Sequence, residues 1–220
     1  MTKIHPILYS FKRCPYAIRA RMALAFAKIS HIHREINLKN KHPTFLETSP
    51  KGTVPVWVDP KNKHVIDESI EIVRYVFTQH TPDGWETPEV LNHKQFIELN
   101  DQLIHKFIPA TRKIKYASLE TSTPPDELAT KANQLLIKLN QRFTTQSFIF
   151  DKPSPADIIL FPNIRQLIIH DPAWCEQYQM PNLKRWIDHW SNHSVFKTIF
   201  VNQPEWDTNQ KPIIISYLDY

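Results

Sequence analysis

The stretch FKRCPYAIRAR, residues 11–21, sets Cys14 directly before a proline and among Lys12, Arg13, Arg19 and Arg21. A cysteine that opens a helix is in a chemically productive place. The first helix amides have no internal partners and the dipole is positive there, so negative charge on sulfur is stabilised. Such positions bring a thiol from about 8.5 down to roughly 3.5 to 7.5. Lys12, Arg13 and Arg19 add to this where they turn inward, and Pro15 at the first helical position costs no hydrogen bond. The competing reading is a small buried residue, the common fate of a cysteine; position favours the reactive one. Cys175, in DPAWCEQY, has neither basic neighbours nor a helix start and reads as packing. A dithiol mechanism needs a second cysteine three residues after the first, to resolve a mixed disulfide. That position is Ala17, so Cys14 would have to pass a mixed disulfide to an outside thiol.

Other constellations carry less. His31 and His33 stand two apart and His189 and His193 four apart, each without an obvious third metal ligand, so they read as solvated histidines. Two cysteines in 220 residues build no disulfide framework. Only Gly52 and Gly84 are present, which excludes the Gly-rich phosphate loops of dinucleotide-binding and P-loop proteins. The net charge of +5 and a pI near 9.1 favour anionic ligands. The cations are scattered, so no nucleic acid is expected. No apolar run is long enough to span a bilayer and the start MTKIHPILYS is unlike a secretory signal, so a cytoplasmic protein without a membrane partner is expected.

The elements that must position Cys14 follow from periodicity. PILYS reads as a strand and Pro15–Lys28 as a helix, with Ile18, Met22, Ala25, Phe26 and Ile29 inward and Arg19, Arg21 and Lys28 on a solvated face. HIHREINL reads as a strand, HPTFLET as a short helix, and TVPVWV and HVID as a hairpin across DPKNK. A helix carrying Ser69, Ile72, Val73 and Val76 ends this first domain of residues 1–80. Residues 81–88 form a polar linker, and 89–220 an all-helical domain. There, one long helix is expected from Pro88 to Tyr116, with Leu99, Leu103, Ile104 and Phe107 inward and a kink at Pro109. The loop SLETSTPP follows, then an amphipathic helix near Asp126. SPAD, residues 154–157, has the form of a capping box that opens a buried helix. The apolar tail IIISYLDY is expected to dock.

The opening YSFKRCPYAIRARMAL fits the pattern YSxxxCPxAxRxRxxL; INLKNK, SPKGTVPV and IDESIEIVRYV follow, then PSPADIILFP and MPNLKRWIDHW. In these residues the chain resembles the cytosolic glutathione transferases, in the cysteine-type group that includes the omega class. The resemblance implies an α/β thioredoxin-like N-terminal domain of order βαβαββα and an all-α C-terminal domain. It implies glutathione as co-substrate, no metal, and a homodimer. Cys14 would face the glutathione sulfur, and Pro55 would be a cis-proline with the Val54 backbone pairing with the cysteinyl part. Glu68 and Ser69 would hold the γ-glutamyl end, and Lys41 the glycyl carboxylate. The alternatives are a trans proline in an edge strand, a plain helix cap and a solvated lysine. Tyr9 and Ser10 are secondary candidates, because other classes use a hydroxyl there. An acceptor pocket is expected between the domains, near Phe11, the helix from Pro88 and Trp206. The expected function is a monothiol thioltransferase or deglutathionylating enzyme that works through a mixed disulfide of Cys14 with glutathione, with a small thiol, disulfide or electrophile as the other substrate. The rivals are conjugation to electrophiles and a non-catalytic binding protein of the same fold, like the stringent starvation proteins.

Overall fold

A computed structural model of the chain describes residues 4–61, 63–116 and 125–217. The chain forms two compact units, Met1–Asp83 together with His193–Tyr220, and Gly84–Asn192. In the first, β1 (Ile7–Ser10), α1 (Pro15–Phe26), β2 (His31–Glu35), α2 (Pro43–Thr48), β3 (Val56–Asp59), β4 (His64–Ile66) and α3 (Ser69–Gln79) follow in the expected order βαβαββα. β1 pairs parallel with β2 and antiparallel with β3, and β3 pairs antiparallel with β4. The β1–β2 crossover is α1, which packs against α3. This brings the start of α1, the strand after Val54 and the start of α3 around one end of the sheet.

α1 has no solvated face. Residues 17–25 are all buried, and Arg19 and Arg21 expose only 1% and 3% of their surface. The reading of Arg19 and Arg21 as a solvated face is therefore corrected. α1 also contacts α10 (Ser194–Thr198) from the far end of the chain, so the side away from the sheet is covered. Both cations find partners inside. Arg21 donates to the Lys12 carbonyl at 2.6 Å and lies over the Phe200 ring, while Arg19 donates to Ser69 Oγ at 3.2 Å and lies over the Tyr16 ring.

The second unit holds α4 (Lys94–Gln102), α5 (Ile108–Lys115), α6 (Pro125–Arg142), α7 (Pro155–His170), α8 (Trp174–Gln177) and α9 (Pro181–Asn192). The single helix expected over 88–116 is divided. A 3-10 turn at Pro88–Asn92 gives way to α4, where His93 accepts from the Gln95 amide, and a π-helical turn at Leu103–Phe107 precedes α5. Pro109 has no N–H to return to the preceding turn, and the wider π turn meets that deficit. The extra residue also shifts the helical register, which leaves Ile104 exposed rather than inward. The loop expected at 118–125 lies outside the described residues except for its last position. The capping box is present: Ser154 accepts from the Asp157 amide, Asp157 accepts from the Ser154 amide, and Pro155 opens α7.

The C-terminal segment, expected in the helical domain, returns to the first unit. β5 (Ile213–Ile215) pairs antiparallel with β2 in the register His31↔Ile215, Ile32↔Ile214 and His33↔Ile213. The sheet order is β4-β3-β1-β2-β5. β2 would otherwise end the sheet with a row of unpaired amides and carbonyls, and the β-branched run III is suited to cover it.

Candidate active site at the start of α1

β1 delivers the chain into residues 11–13, a loop tied down on three sides. The Cys14 amide donates to the Phe11 carbonyl at 3.0 Å, the Lys12 amide to Glu35 Oε1 at 2.6 Å, and Arg21 to the Lys12 carbonyl. Cys14 is the N-cap of α1 in extended conformation, Pro15 follows, and the Cys14 carbonyl accepts the first helical bond from the Ile18 amide at 2.9 Å. Its thiol is half-buried and donates to the Val54 carbonyl at 3.6 Å. Burial pushes the Cys14 thiol above its ordinary value; the amides of Ala17 and Tyr16 and the charges of Arg21 and Arg19 pull the other way without reversing it. The expected depressed thiol is thus corrected. The helix terminus and Arg19 act as anticipated, Arg21 acts in place of Lys12 and Arg13, and removing sulfur from water outweighs them all.

The Val54–Pro55 peptide bond is cis. Two residues earlier Gly52 sits at φ +59°, and a Cβ there would come within 3.1 Å of Leu46 Cδ2 and 3.3 Å of Lys41 Nζ. Glycine at this turn therefore both meets the left-handed backbone and lets the Lys41 ammonium lie against the loop that leads to Val54. At the start of α3, Glu68 is the N-cap and Ser69 the first helical residue. The Glu68 side chain is 67% exposed and paired with Lys51 at 2.9 Å; Lys51 also meets Asp67 at 3.1 Å. Ser69 is buried and accepts from Arg19.

The structure thus brings Cys14 and Val54 into contact, sets Lys41 on the loop before them, and joins Ser69 to α1 through Arg19. Phe11, Cys14 and Trp206 all pack on a cluster formed by Tyr9, Ala17, Ile36, Phe45, Val54 and Val56. Phe11 and Trp206, the expected acceptor-pocket residues, therefore both belong to the first unit. Trp206 lies over the Arg34 guanidinium at 4.3 Å and 4.9 Å from the His42 ring, and its amide donates to the Glu35 carbonyl. Beside it is a cavity of about 370 Å³ lined by Ile36, Asn37, Lys41, His42, Glu205 and Trp206 among others.

Tyr9 and Ser10 are buried, and the Tyr9 hydroxyl accepts from Arg34. The Ser10 hydroxyl is buried without a hydrogen-bond partner, and neither hydroxyl is exposed. His31 and His33 are likewise buried rather than solvated, and His33 meets Glu35 at 3.0 Å. Among the described residues no group of three His, Cys, Asp or Glu side chains is set to hold a metal ion, and no helix is long and apolar enough to cross a membrane. Sequence reasoning missed Lys51, the contact of Arg19 with Ser69 and the role of Arg34. An arginine on a helix of almost wholly apolar residues was the available signal for Arg19. Lys51 left none, since its pairing depends on how the loop before β3 meets α3.

Residues 13–79 match the family model described as glutathione S-transferase, N-terminal domain. Glutathione S-transferase omega-1 of Rattus norvegicus is 28% identical over 204 residues, covering 89% of this chain and 80% of the rat protein. Omega-2 of the same animal is 27% identical over 186 residues, covering 82% and 72%. Among solved structures, glutathione transferase Omega 3C from Trametes versicolor superposes with a TM-score of 0.74 at 18% identity, covering 93% of this chain and 92% of its own. A glutathione transferase family member from Pseudomonas fluorescens, solved with two glutathione bound, gives 0.74 at 19% identity, covering 89% and 92%. With a matched N-terminal domain, a helical unit after it and relatives along most of its length, this chain is similar to the glutathione S-transferases and shares their fold.

Proposed function

We infer that the protein is a glutathione-dependent thioltransferase in which Cys14 carries the glutathionyl group. The supporting observation is the setting of Cys14: N-cap of α1, sulfur on the Val54 carbonyl before cis-Pro55, and Ala17 where a resolving cysteine would stand. The relatives' omega names and the glutathione held by the Pseudomonas fluorescens structure agree with this reading. On this reading the Val54 backbone pairs with the cysteinyl unit of glutathione, as an added strand would. Asp67 and Glu68 take the γ-glutamyl ammonium, Ser69 and the first amides of α3 its carboxylate, and Lys41 the glycyl carboxylate. A ligand N–H on the Val54 carbonyl competes with the Cys14 thiol for its acceptor, which favours loss of the thiol proton.

The exchange then balances in two steps. Cys14 thiolate attacks the glutathionyl sulfur of a mixed disulfide, the old S–S bond breaks, and the partner leaves as a thiolate that takes a proton. The thiolate of a second glutathione attacks the glutathionyl sulfur on Cys14, which forms glutathione disulfide and restores the Cys14 thiolate. A cysteine at the glutathione sulfur exchanges with a glutathione disulfide or mixed disulfide brought to it, which favours thiol transfer over plain conjugation. A homodimer and a cytoplasmic location go with this reading.

The test is retention on immobilised glutathione, followed by intact mass after exposure to glutathione disulfide. One glutathionyl adduct is expected on the wild type and on Cys175→Ser, and none on Cys14→Ser. An adduct that survives Cys14→Ser and disappears in Cys175→Ser sinks the assignment.

A further inference from the structure

Arg19 is a cation with 1% of its surface exposed, and its guanidinium faces the interior of the first unit from α1. Its contacts include the following. Nη1 donates to Ser69 Oγ at 3.2 Å, the guanidinium carbon lies 4.8 Å from the centre of the Tyr16 ring, and its charge acts on the Cys14 sulfur. Tyr16 is the second residue of α1 and Ser69 the first of α3, so one side chain joins the two helix starts that flank the site. Burial lowers Arg19 only to about 10, so it stays charged at neutral pH.

The chemistry of the Ser69 contact has a direction. A guanidinium has N–H groups only and accepts nothing, so the Ser69 oxygen must be the acceptor. Its hydroxyl proton is then turned away from Arg19 and is available to an acceptor beyond α3. We propose that Arg19 is a positioning residue, which turns the Ser69 hydroxyl toward an incoming carboxylate and lends its charge to the Cys14 sulfur. This rests on the glutathione reading above for the identity of that carboxylate. Through Arg19 the group that anchors the γ-glutamyl end and the group that exchanges the thiol share one support. Lysine is no substitute, because a single ammonium does not reproduce the planar fork that spans Ser69 and the Tyr16 face.

Two readouts on the full-length protein separate this role from a purely structural one. The first needs no glutathione: the pH dependence of Cys14 alkylation by iodoacetamide, followed by mass. Arg19→Met should move its midpoint upward, and Arg19→Lys should leave it near the wild type. The second is steady-state exchange with a small glutathione mixed disulfide. Loss of one charge-assisted hydrogen bond should raise the KM for glutathione about tenfold in both Arg19 variants. Arg19→Met combined with Ser69→Ala should then be no worse in KM than Ser69→Ala alone, since the two act through one contact.

An unchanged alkylation midpoint in Arg19→Met together with an unchanged KM overturns the proposal, as do KM effects of Arg19→Met and Ser69→Ala that multiply. Should Arg19→Met fail to fold, Arg19→Lys with a normal melting curve decides: a raised KM supports the role and a wild-type KM ends it. If the wild type is not retained on glutathione, the thioltransferase reading fails and takes the Ser69 assignment with it. The alkylation shift then still decides whether Arg19 supports the sulfur.

Discussion

Asp157 carries its carboxylate wholly inside the second unit, where the Ile149 amide, the Ser154 amide, the Ser154 hydroxyl and the Trp186 indole all donate to it. Burial nonetheless pushes it up to about 6, against these bonds. An acid raised in the folded state holds its proton longer there than in the unfolded chain, so its contribution falls as pH rises from about 4 to 6 and is least above that window. Asp157→Asn should flatten this part of the stability curve while lowering stability throughout; a denaturant series at several pH values checks both. Ser154→Ala removes the cap itself and should cost about 1–2 kcal/mol. His31 acts in the opposite sense. It is buried, and burial, with His33 beside it, lowers it to about 3. A base depressed in the folded state contributes fully above its ordinary value and loses stability as pH falls from about 6.5 toward 3. His31→Leu should therefore resist acid better than the wild type, read as a lower midpoint in an acid titration of tryptophan fluorescence.

At the scale of elements, the C-terminal segment is bound to the Cys14 loop through β2. Glu35 accepts the Lys12 amide on its side chain and the Trp206 amide on its carbonyl, and Lys12 Nζ and Asn202 are also joined. β5 covers the outer edge of β2 and in turn presents Ile214, 52% exposed. A chain ending at Gln203 loses β5, Trp206 and the buried Tyr217. It should lose at least about 3 kcal/mol, the usual cost of removing one buried aromatic. The β2 amides that face β5 should exchange with solvent much faster in that chain, since a bare edge strand has no partner for them. The Ile32 amide donates to the Pro6 carbonyl on the other side, so the alternate amide of His33 faces β5, and unchanged exchange there would show that β5 contributes nothing to the edge.

For the molecule as a whole, the first unit is built from both ends of the chain, so residues 1–83 alone lack part of their own sheet. That fragment should show poor amide dispersion and regain it when a peptide of residues 193–220 is added; a well-dispersed spectrum of 1–83 alone would contradict this. The order of elements up to α3, the capping box and the place of Cys14 were legible in the sequence. They depend on spacing within a few residues: apolar period, a proline at a helix start, a serine three before an aspartate. What no local pattern carries is where distant segments meet. Arg19 and Arg21 lie at positions that periodicity assigns to water, until α3 and α10 cover them from both sides. The π turn before Pro109 shifts register by an amount a 3.6-residue period cannot express. Trp206 and β5 join the first unit because β2 has an open edge, a fact about the sheet rather than about residues 206–215. The sign of the Cys14 shift follows the same division. Sequence alone determined the helix amides and neighbouring cations that lower it, and only the tertiary structure decided how much water the sulfur loses, which is the larger effect.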